Sequence, residues 1–178
     1  VKLINPMQGA QNDTLFNAEA LTGVIDFDAY WNRKEIILTE FTITNGSANI
    51  YTDSLERTNY DIMVPDTTAL AASEPMGNID LKNIELDNFN VTYNDEALKF
   101  STTAKGLMAQ LTGTLINDNF NSQLEIAQST VWLEYEGEKY LQGAAVEMDM
   151  PSEYTISKLL INFKNASASV NGLPFKVN

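Results

Sequence analysis

Carboxylates are abundant in this sequence, and several pairs of them stand two residues apart, among them Asp26 and Asp28, Glu134 and Glu136, and Glu147 and Asp149. Glu85 with Asp87 and Glu136 with Glu138 share the spacing, which makes five such pairs in all, and on a strand it puts both side chains on one face. Two carboxyl groups facing one cleft can hydrolyse a glycosidic bond, one as acid and one as base or nucleophile. The plainer reading is the solvated face of a half-exposed sheet, where alternation itself demands polar residues. Histidine and cysteine are both absent. That removes Ser-His and Cys-His machinery, thiolate zinc sites and disulfides.

Other site chemistry is thin. Asn94-Asp95-Glu96 and Asn117-Asp118-Asn119 lack the acidic ladder and the glycine of a calcium loop, and turn chemistry accounts for them. Glycines are scattered, with no phosphate-cradling pattern. Sequons occur at Asn12, Asn45, Asn90 and Asn165, in a chain rich enough in Asn, Ser and Thr to produce them by chance. Of the two indoles, Trp132 lies between Val131 and Leu133 and so faces away from both. Packing beneath a neighbouring element is the simpler role for it; stacking against a sugar is the sharper one.

The elements that would position these groups are strands. Apolar residues alternate at Ile79 and Leu81, Ile84 and Leu86, and Phe89, Val91 and Tyr93. They do so again at Leu107, Ala109, Leu111 and Leu115, at Leu124 and Ile126, and at Val131, Leu133 and Tyr135. Val146, Met148 and Met150 follow, reaching Pro151-Ser152; then come Ile161 and Phe163, and finally Leu173, Phe175 and Val177. Turn signals separate them at 94–95, 117–119, 136–138, 164–165 and Asn171-Gly172. The apolar parity slips three times, which predicts bulges or corners near Lys82-Asn83, Asp87-Asn88 and Lys105-Gly106. In the first third, 28–35 reads as one or two helical turns capped by Asp28. A hairpin is expected to turn at Asn45-Gly46. The division is a β-rich module at 1–64, a Pro-containing linker at 65–78 with a short helical turn at 68–72, and a meander at 79–178, with one continuous domain as the variant.

With 24 Asp and Glu against 11 Lys and Arg in 178 residues, the net charge is −13. Such a surface repels phosphate backbones and excludes nucleic acid as a partner. No window approaches the roughly 18 apolar residues that span a bilayer. The chain starts at Val1 without a charged-then-apolar leader, and we expect a trimmed or mature fragment whose anchor lies elsewhere.

Several phrases resemble the repeated module of the AsmA-like family. They are Leu3-Ile4-Asn5-Pro6, Asp13-Thr14-Leu15-Phe16-x-Ala18, Phe41-Thr-Ile43, Asn49-Ile50-Tyr51 and Asn59-Tyr60-Asp61-Ile62. Leu86-x-x-Phe89-x-Val91-x-Tyr93-x-Asp95 is similar to the opening of the next repeat, continued by Leu107-x-Ala109-x-Leu111-x-Gly113 and Tyr140-Leu141. The resemblance implies a periplasmic segment of a protein anchored at the inner membrane of two-membrane bacteria. It also implies a role in outer-membrane biogenesis and kinship with bridge-like lipid-transfer proteins, whose bent sheets hold acyl chains in an apolar trough. It implies no catalytic residues. The chain departs from the family in lacking an anchor helix and in being much shorter than a full-length member.

The expectation is therefore a mainly β protein: a curved antiparallel meander, groove-like or an open barrel, with one or two short helices. It is not an enzyme and needs no cofactor or metal. Its partners are lipid acyl chains and outer-membrane assembly proteins. The groove candidates are Leu107, Leu111, Leu115, Leu124, Ile126, Leu133, Met148, Ile161 and Phe163. The alternatives are a non-catalytic adhesion or carbohydrate-binding β-sandwich, a carboxylate glycosidase, and a structural assembly module.

Overall fold

The computed structural model describes residues 1–7, 12–33, 35–60, 78–158 and 160–177. The linker at 65–77, its short helical turn, and Asp61 and Ile62 lie outside the described residues. The strands are β1 (Lys2–Ile4), β2 (Thr14–Ile25), β3 (Ile36–Thr52), β4 (Ile79–Asp95), β5 (Phe100–Ile116), β6 (Asn119–Tyr135), β7 (Glu138–Thr155), β8 (Leu160–Phe163), β9 (Ala166–Val170) and β10 (Leu173–Val177). All ten belong to one sheet, ordered β1-β2-β3-β4-β5-β6-β7-β9-β10, with β8 also on β7. The sheet is open and does not close into a barrel. Two short helical turns, Ala29–Arg33 and Ile156–Lys158, complete it.

Strands β3 to β7 have 17 or 18 residues, three times the usual length. At 3.3 Å per residue each runs about 55 Å. Over that distance the sequence changes parity, and bulges keep the apolar residues on one face. Register shifts fall between Leu81 and Ile84, between Leu86 and Phe89, and between Lys105 and Met108, at the three parity slips. Asn88 and Gly106 carry the positive φ angles (53° and 61°) that let the backbone bend there.

A left-handed residue inside a continuous strand, with no break in register, replaces the hairpin expected at Asn45-Gly46. Both residues sit inside β3, with Asn45 at φ 48°. An Asn that tolerates left-handed backbone serves a kink within a strand as well as a hairpin tip. Here Asn88 Nδ2 donates to Asn45 Oδ1 at 2.7 Å, and Asn45 Nδ2 donates to Glu19 Oε2 at 2.7 Å. Polar side chains thus join the left-handed residues of β3 and β4 to β2. Gly46 lies directly opposite Phe89, and a Cβ there would fall 2.6 Å from the Phe89 ring and 2.4 Å from the Asn17 carbonyl.

The meander also has one parallel pair. Strand β3 runs parallel to β4, with Ile43 opposite Leu86. Parallel neighbours cannot be joined by a tight hairpin, so a longer connection follows β3. Its start is visible. Asp53 organises the reversal by accepting from Leu55 N, Arg57 N and Arg57 Nε. Thr58 then bridges Thr52, and Asn59 donates to and accepts from Tyr51. Asn59 is fully buried, and its Nδ2 also donates to the Asn49 carbonyl.

Three smaller expectations change. Asp26, not Asp28, caps the first helical turn, accepting from Ala29 N. Strand β7 continues through Pro151 to Thr155. The Pro151 carbonyl accepts from Lys164 N, so its missing N–H lies on the same edge, where β8 gives way to β9. Asn165 (φ 55°) is thus a break in one strand path beside β7 and not a hairpin tip.

Candidate functional site

The register builds one long apolar surface. Leu21, Ile43, Leu86, Ala109, Ile126, Met148, Ala168 and Phe175 stand side by side across β2, β3, β4, β5, β6, β7, β9 and β10. Seven gaps of about 4.8 Å give a row about 34 Å long. Parallel rows flank it: Phe41, Ile84, Leu111, Leu124 and Met150 on one side, and Phe89 with Leu107 on the other. One residue along each strand the row is Thr22, Thr42, Glu85, Gln110, Glu125, Asp149, Ser167 and Lys176, on the opposite face. Not one of these is apolar. The two faces differ as sharply as the alternation allows.

All nine groove candidates lie on the apolar face. Ile126 neighbours Met148, Leu111 neighbours Leu124, and Leu115 shares a row with Phe120, Tyr154 and Ile161. Phe163 lies opposite Ser152, and Leu133 opposite Thr102 and Leu141. They differ in access. Leu107 and Leu115 are buried; Leu107 belongs to a core with Phe89 and Ala109, onto which Phe16, Ile43, Leu86, Leu124 and Ile126 pack. Leu111, Leu124, Ile126, Leu133 and Met148 are half-buried, and Ile161 (52%) and Phe163 (43%) are exposed. The centre of the face is thus closed by its own side chains, and apolar surface opens toward the edges. Leu21, Ile25, Leu173 and Phe175 are exposed there as well. The sequence reading passed over these four as site residues, although Leu173 and Phe175 carry the same alternation.

Polar intrusions on the apolar face are paired. The hydroxyls of Ser122 and Ser152 lie 2.8 Å apart. Among the described residues, no buried side-chain nitrogen or oxygen lacks a hydrogen-bond partner.

The carboxylates have local work. Asp28 accepts from Asn32 Nδ2 and lies 3.7 Å from the Arg33 guanidinium. Glu147 and Asp149 project from the polar face of β7, where Asp149 accepts from Gln123 Nε2. Glu136 sits at a hairpin tip with φ 51°, displaced from Glu134 in the strand. Asp118 accepts from the hydroxyl and amide of Ser157, and these bonds hold it below the ordinary carboxylate range. Asp95 accepts from Tyr93 OH and Leu98 N. Among the described residues, no three acidic groups gather as metal ligands would. Nor is any helix long and apolar enough to cross a membrane.

Trp132 lies on the polar face, opposite Thr103 and Gln142, and is 39% exposed. A sandwich core would need a second sheet, and every described strand belongs to this one. Compared with family models, curated proteins and solved structures, the chain matches none.

Proposed function

We propose that this chain binds lipid acyl chains along the apolar face of its open sheet. In this reading it is a non-enzymatic periplasmic segment of an AsmA-like protein serving outer-membrane biogenesis. The observation that carries the reading is the unbroken apolar row from Leu21 to Phe175, with a wholly polar row one residue away. A hydrocarbon chain laid on that face loses contact with water at about 25 cal/mol per Å2, so covering about 200 Å2 is worth about 5 kcal/mol. Leu111, Leu124, Ile126, Leu133 and Met148 form the bed, Ile161 and Phe163 the exposed end, and Leu107 and Leu115 the packed floor beneath. Such a surface lowers the barrier to moving a lipid but gives no direction, which requires coupling to another component.

Native mass spectrometry of the protein, before and after exposure to phospholipid vesicles, tests this. The expected result is one or more bound phospholipids, with occupancy falling at least fivefold in the Ile161→Lys, Phe163→Lys double variant. Both side chains are exposed, so the fold survives their replacement. Protein free of lipid in both preparations contradicts the proposal.

A further inference from the structure

We infer a second binding site, for a neutral sugar ring, on the polar face around Trp132. A groove of about 400 Å3 lies over the ends of β5, β6 and β7, of a size that takes a small ligand. Its floor includes the half-exposed indole. The ring rests against Gly143, whose positive φ (74°) and missing side chain leave room for it, since a Cβ there would lie 3.4 Å from Cζ2. The Lys105 ammonium sits 5.2 Å from the ring centroid. The ammonium holds the indole in place and is displaced from its face by a stacking ring.

What surrounds the platform makes it a site. Ser101, Thr103, Glu134, Lys139 and Gln142 line the groove. Glu134 stands directly opposite Lys139 across the β6–β7 pair, yet the two do not close an ion pair. None of the five side chains makes a hydrogen bond to another described residue. Unpaired carboxylate, amide, ammonium and hydroxyl groups around an exposed aromatic plane are what a pyranose requires. Its C–H face stacks on the indole and its hydroxyls bond to the rim. The net charge of −13 disfavours an acidic sugar, which makes the ligand neutral. Its indole is on the face opposite the acyl-chain surface, although Leu133 and Leu141 also line the groove, and sugar binding is read separately from lipid binding.

Calorimetric titration of the intact chain with cellohexaose, maltohexaose and chitohexaose tests the inference. At least one is expected to bind saturably. Trp132→Ala should abolish the heat, and Gln142→Ala and Glu134→Ala should each weaken binding about tenfold. Trp132→Phe should keep the stacking and restore part of the affinity. The far-ultraviolet circular dichroism of each variant should match the parent. Absence of saturable heat with all three sugars, or binding that survives Trp132→Ala, overturns the inference.

Discussion

Asn59 shows how much one side chain can decide. It is fully buried, it satisfies Tyr51 N and the Asn49 carbonyl with its amide, and its own N–H bonds to the Tyr51 carbonyl. It therefore pins the first residues of the return segment beside the end of β3. Asn59→Leu keeps the volume but leaves two backbone groups without partners. At about 1–3 kcal/mol for each orphaned group, the loss should be about 3 kcal/mol in urea unfolding. A loss below about 1 kcal/mol would mean that water reaches those groups. The sequence put Asn59 in a phrase with Tyr60, Asp61 and Ile62, and Asn49 in another with Ile50 and Tyr51. That the two phrases meet was not legible, because turn chemistry at 53–57 leaves no alternation to read. Nor did residue type reveal that Asp26 would cap the helical turn in place of Asp28, for both are equally good caps.

At the scale of elements, the strands were legible wherever their alternation was clean. The bulges near Lys82-Asn83, Asp87-Asn88 and Lys105-Gly106 followed from parity alone, because a buried face permits no slip. The same signal misled at Asn45-Gly46. Phe41 and Ile43 are odd, Ala48 and Ile50 are even, and Asn-Gly stands between. A hairpin and a kink within one strand leave the same trace in sequence, and the choice is made by the partner strand. Here Phe89 of β4 covers Gly46, which a hairpin tip would leave bare. The parallel β3–β4 pair was hidden for a related reason: it joins segments separated by a connection with no strand pattern. Gly46→Ala tests the close approach of Phe89. A methyl group cannot fit between Phe89 and the Asn17 carbonyl, and the expected cost is about 2 kcal/mol in chemical unfolding. Gly137→Ala, at a hairpin tip with open space around it, should cost only about 1 kcal/mol, from its positive φ. A cost at Gly46 no larger than at Gly137 would show that the Phe89 ring gives way to the methyl group.

At the scale of the molecule, ten strands make one amphipathic layer whose two faces are set by a single-residue offset. The apolar face was visible in the sequence as a set of alternating positions. Its extent was not, because only the register aligns those positions across eight strands into one row. How far each residue is buried was equally hidden: Leu107 and Ile161 read alike in the sequence, yet one is core and the other is open. The most direct measurement uses the offset itself. A photoreactive phenylalanine analogue is placed at Ile126 or at Glu125, adjacent residues on opposite faces of β6, and the protein is irradiated with a radiolabelled phospholipid. The acyl-chain account predicts a covalent lipid adduct at position 126, competed by unlabelled phospholipid, and at most a tenth as much at position 125. Equal labelling at both positions, or none at 126 in a protein that is folded by circular dichroism, would contradict it.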